Sequence, residues 1–302
     1  MELRHLRYFI AVARERSFTR ASAVLNIAQP PLSRQIQQFE AELGIELIDR
    51  NARPLQLTEA GRLIYEQAAQ ILERVEEMRA LAQRMHDSSR NVFRIGFVAS
   101  TLYGKLPDVI RAYRAERPDT ELVLSEMVTV EQITALKEGR IDVGFGRIPL
   151  DDPAIDRLLL RNERLIVAMP GEHPLAERAK VPCLRDLTAE DLIVYPRAPR
   201  PSYADQVLAM FRDRDFRPAR VLEVRELQTA LGLVAAGVGV CLVPAAVENL
   251  RRANVTYRPL DEDGVVSPIF MSCRVGDTSP DIAHVLRLVQ EMYHREGIAF
   301  GQ

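Results

Sequence analysis

The sequence predicts a helical N-terminal segment, one long helix, and then an α/β region of two lobes. Three observations carry this. Apolar residues recur at helical spacing before residue 58, a heptad-spaced seam starts at Ile64, and short apolar runs alternate with helical patterns beyond residue 91. With 302 residues, 47% hydrophobic and 27% charged, the chain has length for two or three domains with sizeable cores.

Residues 1–57 read as short helices packed closely. Leu3, Leu6, Ile10 and Ala13 define the first helix. Ser17 offers a cap for a second through Ala21, Val24 and Leu25. After the turn Asn26–Ala28, Gln29-Pro30-Pro31 opens a third helix, because the first turn tolerates proline. Its apolar face is Leu32, Ile36, Phe39 and Leu43, and it stops at Gly44, a left-handed terminator. Ile45–Ile48 and Leu55–Leu57 then read as strands around the turn Asn51–Pro54. Two helices, a turn, a third helix and a hairpin make an all-α winged helix-turn-helix domain.

Residues 58–88 read as one linker helix, with Thr58 as N-cap. Ile64, Ala68, Ile71, Val75, Met78, Ala82 and Met85 follow one another at alternating spacings of four and three. A seam sustained for three repeats belongs to a helix that pairs with another, here giving dimerisation; a domain-core helix would show a wider stripe. Asp87–Asn91 reads as a hinge.

From residue 89 the pattern is repeated βα, which predicts parallel strands covered by helices. Strands are expected at Phe93–Val98, Glu121–Glu126, Ile141–Phe145, Arg164–Met169, Leu192–Tyr195, Arg220–Glu223, Val240–Val243 and Ile269–Arg274. Two Rossmann-like lobes with a cleft between them follow, lobe I over about 89–161 and 267–302 and lobe II over about 162–266.

Composition excludes several classes. No stretch reaches the ~18 uninterrupted apolar residues of a membrane helix. Charges run through the first apolar segment, unlike a secretory signal. Cys183, Cys241 and Cys273 form no CxxC, which argues for a reducing, cytoplasmic setting rather than a disulfide framework. The five His have no metal-ligand spacing, and there is no GxSxG, P-loop or complete GxGxxG, so an enzyme is not expected. No cofactor is expected either. Net charge is −2, and residues 1–62 hold nine Arg against seven acidic residues, so bulk electrostatics does not announce nucleic-acid binding.

The opening MELRHLRYFIAVARERSFTRASAVLNIAQPPLSRQIQQFEAELGIELIDRNARPLQLTEAGRLIYEQA resembles the LysR-type transcriptional regulators, and the resemblance spans the chain. Within the family, IGFVASTLYG (95–104), ALKEGRIDVGFGR (135–147), DPAIDRLLLRNERLIVA (152–168), PRPSYADQVLAMF (199–211) and LQTALGLVAAGVGVCLVPA (227–245) resemble regulators of catechol and benzoate catabolism that sense cis,cis-muconate. The resemblance implies a sensor like the type 2 periplasmic binding proteins over 89–302. It also implies a homotetramer, a dimer of dimers, on an interrupted inverted repeat of double-stranded DNA, and contact with RNA polymerase. Chloromuconate, an aromatic acid or another metabolic regulon are the alternatives.

Two sets of residues are then singled out. On the third helix, Gln29, Ser33, Arg34 and Gln37, with Pro30 and Pro31 at its start, form the face a recognition helix turns to bases, although any surface helix has a polar face. Arg53 at the hairpin tip is placed for a minor groove, or is an ordinary turn arginine. In the cleft, Ser100, Thr101 and Thr129 follow strands at the place where open sheets bind ligands. Their plain alternative is helix capping. Arg147 suits a carboxylate clamp, and Pro201, Ser202, Tyr203 and Leu227 begin helices of the opposite lobe. Arg161, Glu163 and Arg164 at the lobe crossover read as a surface or hinge ion-pair network, with a second ligand site as the alternative.

Overall fold

The computed structural model describes the backbone of residues 1–50, 52, 54–88 and 91–301, and their side chains except at 73, 76, 77 and 79–88. Arg53, Ser89, Arg90 and the seam side chains of Ala82 and Met85 lie outside the described residues. The chain divides into two compact units, Met1–Ala82 and Gln83–Gln302.

In the first unit, α1 (Leu3–Glu15), α2 (Phe18–Val24) and α3 (Gln29–Leu43) close around Leu6, Phe9, Ile10, Leu32, Ile36 and Phe39. Ser17 Oγ accepts from the Arg20 amide at 3.3 Å and so starts α2. Gly44 ends α3 at φ 71°, where a side chain would be strained. The hairpin is shorter than the sequence suggested: β1 (Ile48–Asp49) and β2 (Gln56–Leu57) pair over two residues each. Glu40 on α3 explains this. It is buried, and its Oε1 accepts from the amides of Leu47 (2.8 Å) and Ile48 (3.1 Å), while Oε2 pairs with Arg50. The chain is pinned to the helix where a strand was expected.

Helix α4 (Glu59–Ser88) starts at Thr58, whose hydroxyl accepts from the Gly61 amide at 2.9 Å and donates to the Glu46 carbonyl at 2.8 Å. It continues through Asp87 and Ser88, where a hinge was read. Its seam serves two faces of the problem. Ala68 is buried in the first unit's core with Ile64 packed beside it, whereas Ile71 and Met78 stay exposed.

The second unit is one mixed sheet, in the order β4-β3-β5-β11-β6-β9-β7-β8, with β10 paired to β6. Strands β3 (Val92–Phe97), β4 (Glu121–Glu126) and β5 (Val143–Gly146) are parallel and alternate with α5 (Leu106–Glu116) and α6 (Thr129–Lys137). These form lobe I, to which α10 (Pro280–Arg295) packs. A 16-residue strand, β6 (Ile155–Pro170), then runs from one lobe into the other. Up to Arg164 it pairs with β11 (Val266–Arg274); from Leu165 it pairs with β9 (Val240–Pro244) and β10 (Val255–Pro259). All these pairings are antiparallel, which corrects the all-parallel expectation. Lobe II adds a short helix α7 (Pro174–Glu177) and the parallel strands β7 (Asp191–Val194) and β8 (Arg220–Glu223). The helices α8 (Tyr203–Arg212) and α9 (Leu227–Ala235) pack in the same lobe. Strand β9 is buried at every residue, as its continuous apolar run requires.

Candidate recognition helix and effector cavity

On α3, Gln29, Pro30, Pro31, Arg34 and Gln37 are exposed and Ser33 is half-buried. They share the side opposite Leu32, Ile36 and Phe39, which are fully buried. Arg34 has no hydrogen-bond partner among the described residues, so its five donors meet water. Gln35 belongs to a different task. It reaches His5 Nε2 at 3.2 Å and fastens α3 to α1, an arrangement no local pattern announced.

A cavity of about 430 Å³ lies between the two lobes. Seven of the eight residues singled out for the cleft line it: Ser100, Thr129, Arg147, Pro201, Ser202, Tyr203 and Leu227. Thr101 does not. Its hydroxyl donates to the Val98 carbonyl at 2.7 Å, and it borders a separate small void with Leu106 and Tyr293. Two consecutive residues of a 3-10 helix, Ala99–Tyr103, point to different sides, and only Ser100 faces the cavity.

Neither Ser100 nor Thr129 acts as a cap. No regular helix starts behind Ser100, since α5 begins at Leu106, and the N-cap of α6 is Val128. Both hydroxyls are instead turned to Arg147. Ser100 Oγ accepts from its Nε at 2.7 Å, and Thr129 Oγ1 accepts from its backbone amide at 3.2 Å. Gly146 permits that approach, because a Cβ there would lie 2.8 Å from Thr129 Oγ1.

Arg147 itself is 3% exposed and its Nη2 meets Glu163 Oε2 at 2.6 Å. Glu163, 4% exposed, also accepts from the Ala246 amide at 3.0 Å and lies 3.5 Å from Arg161 Nη2. The network read at the lobe crossover thus sits inside the protein, whereas Arg164 is exposed and outside it. Arg147 keeps one donor in hand: Nη1 is buried without a partner among the described residues.

From lobe II, Ser202 donates its hydroxyl to the Pro196 carbonyl at 2.9 Å, and its amide donates to Asp205 at 2.7 Å, so it shapes the turn before α8. The Tyr203 hydroxyl donates to the Leu242 carbonyl at 3.3 Å, and burial pushes its pKa well up. A clasp missed in the sequence joins the lobes beside the cavity. Gln228 Nε2 donates to Tyr103 Oη at 2.6 Å, and Asn249 Nδ2 donates to the Tyr103 carbonyl at 3.2 Å. Exposed Glu126, Glu131 and Glu226 ring the cavity mouth, so its positive charge is confined to the interior and to Arg225 at the edge. Among the described residues no His, Cys, Asp or Glu group is arranged to hold a metal ion.

Two family models match the chain. Residues 3–62 match the bacterial regulatory helix-turn-helix protein of the lysR family, and residues 86–293 match the LysR substrate binding domain. The chain belongs to the LysR family. It is a DNA-binding transcriptional regulator and not an enzyme.

Its similarity to individual members runs nearly end to end. It is 52% identical over 293 residues to the probable cat1 operon transcriptional activator of Acinetobacter lwoffii, covering 97% of this chain and 96% of that protein. It is 46% identical over 298 residues to the regulator BenM of Acinetobacter baylyi, covering 98% of each. The BenM effector binding domain, solved with its effector benzoate, matches with a TM-score of 0.66 at 44% identity, covering 69% of this chain and 94% of that one. Full-length CbnR, solved with its target DNA, matches with a TM-score of 0.61 at 31% identity, covering 96% and 99%. No helix among the described residues is long and apolar enough to cross a membrane.

Proposed function

We propose that this regulator activates genes for degradation of aromatic compounds of the catechol and benzoate type, and that cis,cis-muconate in the lobe cavity is its signal. The observation that carries the reading is Arg147 at the cavity floor: a fixed buried cation with a donor to spare, flanked by Ser100 and Thr129. A flat six-carbon dianion needs donors at its ends and apolar walls between, and Tyr203, Leu227 and Pro201 supply walls from the opposite lobe. The relatives' roles, cat operon activation and benzoate sensing, lie in the same chemistry. Benzoate is the second reading, favoured by the benzoate-bound BenM domain.

In this reading residues 1–57 form the DNA-binding domain, with Gln29, Pro30, Pro31, Ser33, Arg34, Gln37 and Arg53 toward the operator. Residues 58–88 pair two chains through exposed Ile71 and Met78, and dimers join as tetramers on an interrupted inverted repeat. The effector acts by preferring one arrangement of the lobes, since a ligand with equal affinity for both shifts nothing. The changed tetramer then presents a new surface to RNA polymerase.

Calorimetry on the full chain tests the effector. Muconate is expected to bind at roughly micromolar strength, about 8 kcal/mol. Ser100→Ala and Thr129→Ala should each cost about 1.5–3 kcal/mol if they hold a carboxylate. A chain that ignores muconate but takes benzoate moves the reading to aromatic acids. One that binds neither removes it.

A further inference from the structure

One polar group in the cavity wall is still unassigned. Tyr195 stands just after β7, 7% exposed, and lines the cavity. Its hydroxyl is shut away from solvent and has no hydrogen-bond partner among the described residues. The neighbouring Tyr203 ring lies 5.2 Å away, and its hydroxyl is satisfied by the Leu242 carbonyl. Two phenols share one wall, and only one has an acceptor.

A dry donor of this kind costs the folded state more than a completed bond returns, so each such group calls for an explanation. The Leu242 carbonyl already accepts from the Tyr203 hydroxyl and the Cys241 thiol, and Glu163 accepts from the Ala246 amide and pairs with Arg147 and Arg161. The phenol keeps its proton, because burial drives its pKa far up, with Tyr203 and Cys241 adding to the effect. The Arg147 charge pulls the other way, and Arg147 lines the same cavity. Arg147 carries the second orphan donor of this wall, Nη1. One donor is neutral and belongs to lobe II. The other is charged and comes from lobe I.

We propose that Tyr195 is an effector-binding residue, its hydroxyl and Arg147 Nη1 together receiving one carboxylate of the effector. The two oxygens of a carboxylate accept from both, so a single anionic group bridges the lobes and satisfies two buried donors that have no partner among the described residues. A neutral isostere with one acceptor and a donor of its own leaves one of them dry, which is how a site built around hydrogen bonds rejects an analogue. The proposal rests on the reading of the cavity as a carboxylate sensor.

The test is Tyr195→Phe in the full chain, with calorimetry against cis,cis-muconate and benzoate and a thermal midpoint without effector. Affinity for the carboxylate that the unaltered protein binds should fall at least about fivefold, toward the tenfold or more of a lost charge-assisted bond. The effector-free midpoint should stay level or rise, because phenylalanine removes a dry hydroxyl and nothing else. A smaller loss of affinity overturns the proposal, and so does a lowered midpoint, which would make the hydroxyl a structural group. If the unaltered protein binds neither carboxylate, the sensor reading fails and carries this one with it. If it binds one and Tyr195→Phe binds it equally, only this proposal fails.

Discussion

The two functional surfaces of this regulator hold their polar residues in opposite conditions. On α3, Arg34 and Gln37 stand in water and no described side chain depends on them. In the sensor, Arg147, Glu163 and Ser100 are buried and bonded to one another. If the exposed face of α3 reads DNA, as proposed, it adds its bonds on binding and can be altered without touching the fold. The cavity proposed to sense a small anion is made of groups that also hold its lobes together, so altering it should change stability and affinity at once.

The largest effect that sharpens this contrast is expected at the buried ion pair. Removing one partner of a buried pair strands the other charge, at about 3–5 kcal/mol. Glu163→Ala should be the worse of the two, because it strands Arg147 and Arg161 together and leaves the Ala246 amide without its acceptor. Arg147→Ala leaves Glu163 with Arg161 and that amide. Urea unfolding of the full chain, read with a probe in the sensor, should rank them in that order. Replacing both Arg147 and Glu163 by leucine should recover much of the loss. A cost below about 1 kcal/mol for Glu163→Ala would erase the difference between the two surfaces.

An intermediate effect, of another kind, is expected from Arg34→Ala. Stability should stay within about 0.5 kcal/mol, as for a surface substitution. Discrimination among operator variants should fall by about 1–3 kcal/mol, the worth of a bidentate contact to guanine. If the substitution weakens every DNA sequence equally and flattens the salt slope, Arg34 contacts phosphate instead.

The same contrast explains what was legible beforehand. The exposed face of α3 follows from a 3.6-residue period, which is enough to place Arg34 opposite Ile36. The parallel strands and the cavity residues at their ends were equally local. Glu163 reads as an ion-pair residue, but its burial does not, since that depends on β6 crossing from lobe I to lobe II, and residues 155–163 alternate too irregularly to read as strand. Thr101 was misplaced because a 3-10 helix, not an α-helix, follows β3 and turns it to the other side. Glu40 and Tyr103 find their partners through tertiary contacts, at Leu47 and at Gln228, and sequence spacing does not show these. A buried polar residue becomes predictable only once the elements around it are placed.

The smallest effect is expected at the interlobe clasp, where the two conditions meet. Tyr103 is half-buried and Gln228 exposed, so breaking their 2.6 Å bond returns the amide of Gln228 to water and strands nothing. The loss should therefore sit near the low end for a hydrogen bond, about 0.5 kcal/mol, with global unfolding almost unchanged. Because the bond joins a lobe I residue to α9 beside cavity-lining Leu227, that loss should fall on the balance between lobe arrangements and alter effector affinity by no more than a few-fold. Tyr103→Phe leaves the backbone carbonyl that accepts from Asn249, so only the Gln228 contact is removed. Tyr103→Phe, Gln228→Ala and the double variant, compared by calorimetry with the effector, form a cycle. The double variant should lose no more than either single one, as residues that act through a common bond do. Additive losses would show that the two side chains act independently, and that the 2.6 Å contact does not couple the lobes.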